Sequence, residues 1–376
     1  MKVIGDCFAH YSFLDSSGDV DDKLDQICKK VCAHNQWIRH VFQLNPIHLI
    51  NDKSYQKVII TVGDDEQIKF WNVEDGFCLF KTSIGFSMNC IEQLLTLKND
   101  KLTQYLVIGG ETGKLVIYDY NQNKIVKRLS GSSRNILKLK VFYPSNTKEY
   151  KGSVIISSHS SGEVRFWDWN KGVTVHRIKI GIQPIQGLNL WHSEPEPSKQ
   201  SLRLIVHSIE NTLNLWSPTT RRKVKKFNDH TNWVRTILCK SYSVKNEQNQ
   251  SRKVGIIISA GDDFTIRFFN IMKGVCVRIL QPHKGEIISL ELLENILLSY
   301  ESCGRIAITP LDSLKSTIVS TGLSLDFYHC ISLMRKENSE DSIYLCVGGS
   351  IPRKSGYHFL NIYPGKLKPE GIHFGI

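Results

Sequence analysis

Two adjacent carboxylate pairs, Asp64–Asp65 and Asp262–Asp263, each follow a glycine in the tripeptide Gly-Asp-Asp. Paired carboxylates at a turn can hold a divalent cation or divide acid and base roles between them. Thirteen histidines and ten cysteines add further groups that could ligate or attack. Their spacing argues against both uses. There is no HExxH, no Cys-x-x-Cys and no His/Cys cluster of zinc-like spacing. Cys28 and Cys32 stand four apart, but they fall in a strand, where they read as packing residues. Neither GxxxxGK[ST] nor a strand-linked GxGxxG is present, so no phosphate cradle is indicated, and no GxSxG elbow appears. The sequence therefore predicts no enzyme, no cofactor, no metal and no small-molecule substrate.

The elements that carry these turns recur. Val58–Trp71 reads VIITVGDDEQIKFW, and Gly255–Phe269 repeats it as GIIISAGDDFTIRFF. Val154–Trp167 (VIISSHSSGEVRFW) and Leu204–Trp216 (LIVHSIENTLNLW) follow the same course: an apolar strand, a tight polar turn and an alternating strand ending in an aromatic. Counterparts end at Tyr118 and Thr309, with a degenerate copy over Tyr344–Tyr363. Each unit follows a strand with apolar residues three apart, such as Ile38 and Val41 or Val234 and Ile237, and precedes another strand after a polar turn. A period of about 40–50 residues with four strands per unit describes the blades of a propeller.

These residues resemble the WD-repeat family over about 340 positions. That resemblance implies a structural tetrad of His before strand a, Ser or Thr in strand b, Asp in the b–c turn and Trp in strand c, linked by hydrogen bonds that lock the blade. Blade one carries His34, Thr61, Asp65 and Trp71. Blade five carries His230, Ser259 and Asp263, with Phe269 in place of Trp. Blade six keeps His283 and Ser299, and blade three keeps Ser157 with Trp167. The second aspartate of each Gly-Asp-Asp is thereby given a structural role.

The expected fold is all-β: a seven-bladed β-propeller of four-stranded antiparallel blades, closed by an N-terminal strand that completes the last blade. One domain covers 1–376, with an N-terminal extension at 1–23, a closing strand at 24–33 and a C-terminal tail at 366–376. The blades fall at about 34–81, 82–130, 131–180, 181–228, 229–281, 282–320 and 321–365. The loops between strands a and b are long and polar, except at Glu294–Asn295. Two of them, HSEPEPSKQS and SYSVKNEQNQSRK, have a disordered composition.

Composition narrows the function class. The chain has 376 residues, 41% hydrophobic, and a formal net charge of +12. No run of about 18 apolar residues offers a membrane span. The N-terminal residues lack the basic and apolar regions of a secretory signal. Most cysteines lie in apolar strands, which points to a reducing compartment, cytoplasmic or nuclear. Cations gather on the outer strands, above all Arg221, Arg222, Lys223, Lys225 and Lys226, a candidate polyanion surface. The residues just before strand a include Trp37 and Trp233, followed by Arg39 and Arg235. Trp and Arg are enriched at interface hot spots, so these four are the candidate partner-binding residues. The function expected is a non-catalytic protein-interaction scaffold in a multiprotein complex. One alternative is an RNA-linked factor in ribosome assembly or RNA modification. A second is a ubiquitin-ligase substrate receptor, which is disfavoured because the Arg of Trp-Asp-x-Arg is missing after Trp71, Trp167 and Trp216.

Overall fold

In the computed structural model, the described residues are 29–44, 48–50, 53–55, 58–73, 75–98, 101–129, 131, 134–144, 153–192, 198, 200–245, 251–320, 327–335, 342–350, 358–368 and 371–374. The extension assigned to 1–23 lies outside them.

Strands assemble into antiparallel sheets whose order follows the chain, lettered a to d from the axis outward. Blade one runs Ile38–Leu44, Val58–Gly63, Gln67–Asn72, Cys78–Ser83. Blade two runs Met88–Lys98, Lys101–Gly110, Leu115–Asp119, Lys124–Leu129. Blade three runs Ile136–Phe142, Val154–His159, Glu163–Asp168, Val173–Lys179. Blade four runs Ile185–His192, Leu202–Ser208, Leu213–Ser217, Arg222–Phe227. Blade five runs Val234–Lys245, Ser251–Gly261, Ile266–Asn270, Val275–Leu280. Blade six runs Ile287–Leu293, Ile296–Glu301, Arg305–Pro310, Thr317–Ser320.

The expectation of seven four-stranded blades is corrected here: among the described residues there are six blades of that kind, a two-stranded ribbon of His48–Ile50 and Lys53–Tyr55, and one five-stranded sheet. That closing sheet contains Phe327–Arg335, Ser342–Ser350 and His358–Lys368. Its outer position is divided between the two ends of the chain. Lys29–His34 pairs with the first part of the third strand, Val31 opposite Leu360. Gly371–Phe374 pairs with the last part, Leu367 opposite Ile372. The third strand outruns a normal blade strand, so one partner cannot cover it. The tail assigned to 366–376 thus contributes a strand. The a strands touch in succession around the axis, and Phe327–Arg335 meets those of both blade six and blade one.

Burial explains the sequence pattern. Strand b of blade one is buried throughout, because neighbouring blades cover both of its faces, and its run is continuously apolar. Strand d alternates exposed and half-buried positions, as an edge strand with one covered face must. The core is a set of inter-blade layers. Ile60, Val62 and Phe70 of blade one meet Met88, Ile91 and Leu106 of blade two. Ile38, Val41, Ile59 and Trp71 turn the other way, onto Ala33, Cys346 and Ile362 of the closing sheet. Each such large side chain contributes roughly 1.5–3 kcal/mol by leaving water.

Two of the loops expected to be long and polar, that of blade two and the SYSVKNEQNQSRK loop of blade five, form β-ribbons over much of their length. Strands a and b of blade five stay paired out to Lys245 and Ser251, and those of blade two to Lys98 and Lys101. Both ladders continue past the ends of their strand c partners. Polar composition concealed them because a ribbon that leaves the blade is no longer covered on both faces.

One backbone hydrogen bond recurs. The N–H that opens the b–c turn donates to the carbonyl of the residue just before strand a: Asp64 to Trp37 (3.0 Å), Glu111 to Ser87 (3.0 Å), Ser160 to Asn135 (2.9 Å), Asp262 to Trp233 (2.8 Å) and Ser302 to Glu286 (2.9 Å). In blades one and five the approach is close enough that a Cβ on Gly63 or Gly261 would overlap the Trp37 or Trp233 carbonyl oxygen. Gly261→Ala should therefore destabilise the chain by about 1–3 kcal/mol in chemical denaturation. Deleting residues 1–32 should lower the melting temperature and broaden the transition, because the closing sheet then loses most of its N-terminal strand; an unchanged melt would contradict this role for that strand.

Candidate functional site

The tetrad of blade one is complete. Trp71 Nε1 can only donate, and it does so to Thr61 Oγ1 at 2.8 Å. The hydroxyl passes its own proton to His34 Nε2 at 2.7 Å, and His34 Nδ1 donates to Asp65 at 2.7 Å. This direction requires a neutral imidazole protonated on Nδ1. Burial enforces neutrality, pulling the His34 pKa down against the opposing pull of Asp65. Burial also works to raise the Asp65 carboxyl, but the His34 hydrogen bond and charge and the N–H groups of Gln67 and Asn35 hold it below the usual carboxylate range. In blade five His230 joins Ser259 at 2.7 Å and Asp263 at 2.8 Å. Phe269 there packs against the His230 ring without a hydrogen bond, its centroid 6.1 Å away.

Two other blades rebuild the network from residues that the tetrad pattern does not include. In blade three Trp167 Nε1 donates to Ser157 at 2.7 Å, and Ser157 meets His159 of its own strand at 2.8 Å. In blade six His283 joins Ser299 at 2.7 Å and Glu301 at 3.1 Å, so a strand b glutamate does the work of the turn aspartate. His159 and Glu301 each stand two positions after the serine. A strand of period two puts such residues on one face, and that spacing could have revealed them. Among the described residues no group of three or more His, Cys, Asp or Glu could hold a metal ion. The Gly-Asp-Asp carboxylates are used in hydrogen bonding.

The first aspartate of each pair serves the exposed face. Arg39 donates from Nε and Nη2 to Asp64, at 2.8 and 2.6 Å, and its guanidinium lies 5.3 Å from the centre of the Trp37 ring. Ser87 Oγ donates to the same carboxylate at 2.8 Å. Blade five repeats the arrangement: Arg235 makes a fork to Asp262 at 2.6 and 2.8 Å and lies 5.7 Å from the Trp233 ring, with Glu286 3.8 Å away. Trp37 is 38% exposed and Trp233 48%. Their backbones are fixed by the recurrent hydrogen bond, and their rings are braced by arginines that are themselves held. Sequence reasoning named both Trp–Arg pairs but missed Asp64 and Asp262. The signal was the aspartate in each Gly-Asp-Asp that the tetrad left over.

The polyanion candidates do not form one face. Arg222, Lys223 and Lys226 are exposed on strand d of blade four, and Arg221 on the turn before it. Lys225 instead donates to the Met272 carbonyl of blade five.

Blades of four antiparallel strands around an axis, one of them locked by a complete His–Thr–Asp–Trp chain, define a β-propeller. The fold matches the WD40 β-propeller domain of Doa1 with a TM-score of 0.60 and 16% identity, over 89% of this chain and 95% of that one. No family model matches the sequence. In sequence the chain is 22% identical over 246 residues to the DENN domain and WD repeat-containing protein SCD1 of Arabidopsis thaliana, covering 63% of this chain and 18% of that protein. It is 24% identical over 228 residues to human apoptotic protease-activating factor 1, covering 59% and 16%. It is 26% identical over 149 residues to nuclear distribution protein nudF of Aspergillus niger, covering 40% and 29%. The chain thus spans less than a third of the length of each of these relatives. It resembles WD-repeat proteins at low identity, and its fold is that of a WD40 β-propeller.

Asp65→Ala should cost about 1–3 kcal/mol of stability, since it leaves buried His34 and Thr61 groups unpaired; equilibrium denaturation measures it. Acid should act earlier than carboxylate protonation alone would allow. Burial holds His159 and His207 at pKa values of about 4, against an ordinary 6.5. Between those values the unfolded chain binds more protons, so stability falls as pH drops through that window. Asp65 and Asp263, both held low, contribute a further loss only below the ordinary carboxylate pKa. Thermal melts from pH 7 to 4 should show this decline, and His159→Gln, which cannot gain a charge, should make it shallower.

Proposed function

We propose that this chain is a non-catalytic scaffold subunit that binds a protein partner through the face carrying Trp37, Arg39, Trp233 and Arg235. WD-repeat propellers serve generally as protein-interaction scaffolds. The observation that carries the site is the pair of braced, half-exposed tryptophans. A soluble surface gains nothing from exposing a large aromatic ring, and holding it in place removes the entropy that a partner would otherwise have to overcome. The arginines stay partly exposed beside their aspartates, so each unit presents an apolar ring with a polar rim. The RNA reading is weaker, because Lys225 is engaged within the fold and no aromatic residue is interleaved with the basic run on strand d of blade four. A reducing compartment, cytoplasmic or nuclear, is proposed from the placement of most cysteines in apolar strands.

The test is a tagged capture from source cells at low and moderate salt, with and without nuclease, comparing the natural chain with Trp37→Ala and Trp233→Ala. A small set of proteins should survive salt and nuclease and be depleted by both substitutions, each costing about 2 kcal/mol or more of binding. Stability should change by under about 1 kcal/mol, the worth of the lost cation–π contact. Retention of that set by both variants would remove the face from consideration, and its loss with nuclease would favour RNA.

A further inference from the structure

On the outer wall of blades three and four, Arg177 and Arg221 are exposed and make no ion pair among the described residues. Strand d of blade three, Val173–Lys179, is a sheet edge, paired on one side only. On that ladder Arg165 stands directly opposite Arg177, and Glu163 opposite Lys179. Like charges facing each other across strands are destabilising. One carboxylate serves all three cations. Arg165 donates to Glu163 at 2.9 Å; burial works to raise that carboxyl, yet Arg165, Lys179 and Arg177 hold it below its ordinary range.

A fourth cation arrives from blade four. Arg221 occupies the left-handed position of the c–d turn, with φ of 56°. Blades one, three and five place Gly76, Gly172 and Gly274 there, and blade two places Asn123. Blade six uses Leu314, which packs into the core between blades five and six. Arg221 has no such packing, being exposed, and its backbone is strained where glycine would be relaxed. Arg221, Arg165 and Arg177 line one open cleft, together with Thr174 and His176 of blade three. Val173 and Val175 flank it on the edge strand, 48% and 55% exposed. Among the described residues, no Phe, Tyr or Trp lines the cleft.

We propose that this cleft binds an extended, phosphorylated protein segment. The segment's backbone adds to the free edge of Val173–Lys179, its apolar side chains rest on Val173 and Val175, and its phosphate is taken by Arg177 and Arg221, with Arg165 behind them held by Glu163. Edge-strand addition supplies the backbone bonds, and guanidinium groups match a dianionic phosphate. A single-stranded nucleic acid would call for stacking aromatics, which the cleft lacks. The site is independent of the tryptophan face.

The experiment passes a degenerate peptide library with a central phosphoserine over the immobilised full chain, beside the same library with serine and a mixed-sequence RNA decamer. Retention should be at least about tenfold greater for the phosphorylated library, and Arg177→Ala and Arg221→Gly should each reduce it about tenfold. Arg221→Gly should leave the melting temperature unchanged or raised, because glycine relieves the turn, so its loss of binding would not reflect unfolding. Equal retention of both peptide libraries, unchanged retention by Arg221→Gly, or stronger retention of the RNA would each overturn the proposal.

Discussion

The pairing of Lys29–His34 with the third strand of the closing sheet is the interaction on which the ring depends. A circular array has no terminal repeat, so each inter-blade layer needs the next, and this seam is where the chain must meet itself. The strand does more than close the circle. It ends in His34, whose imidazole enters blade one and holds Thr61 and Asp65. Ala33, one residue earlier, packs with Trp71 and Cys346. Losing the strand would therefore unpair a sheet edge, open an apolar layer and remove a tetrad histidine together.

Elsewhere the tetrad is preserved as a set of hydrogen bonds more than as a set of residues. Each b-strand serine or threonine in a network needs a histidine, and each tetrad histidine prefers an acceptor beyond it. Blade three finds its histidine on strand b and ends the chain of bonds on the Arg134 carbonyl. Blade six finds its carboxylate at the matching place, while blades one and five have Gly63 and Gly261 there and take the carboxylate from the turn. Blade four has none of this. His207, Trp216 and Asn214 carry buried polar atoms without protein partners, and its b-strand position opposite Asn214 is Val206.

The repeat, the strand pattern and the tetrads of blades one and five were legible because each rests on local periodicity or on residues at a fixed offset. The two Trp–Arg pairs were legible for the same reason. What escaped depended on contacts distant in sequence. The roles of Asp64 and Asp262 arise only when the b–c turn is bonded beside the entry to strand a. The five-stranded closing sheet arises because His358–Lys368 is long enough for two partners, a fact invisible from either partner alone. The basic run Arg221–Lys226 is one stretch in sequence, whereas three dimensions divide it: Lys225 goes to blade five and Arg221 to blade three.

The two outer strands of the closing sheet run in the same direction along one neighbour. Pairing of the C-terminal strand stops at Gly365, and that of the N-terminal strand starts at Ile362. Together they trace a single strand interrupted by a short gap. A brief covalent bridge from Phe374 to Lys29 would turn the described polypeptide into a true circle, and the turn at Glu294–Asn295 could then be opened with every strand pair intact. In that sense the described strands form a cyclic architecture, and where the ring is opened is a choice of register on one edge.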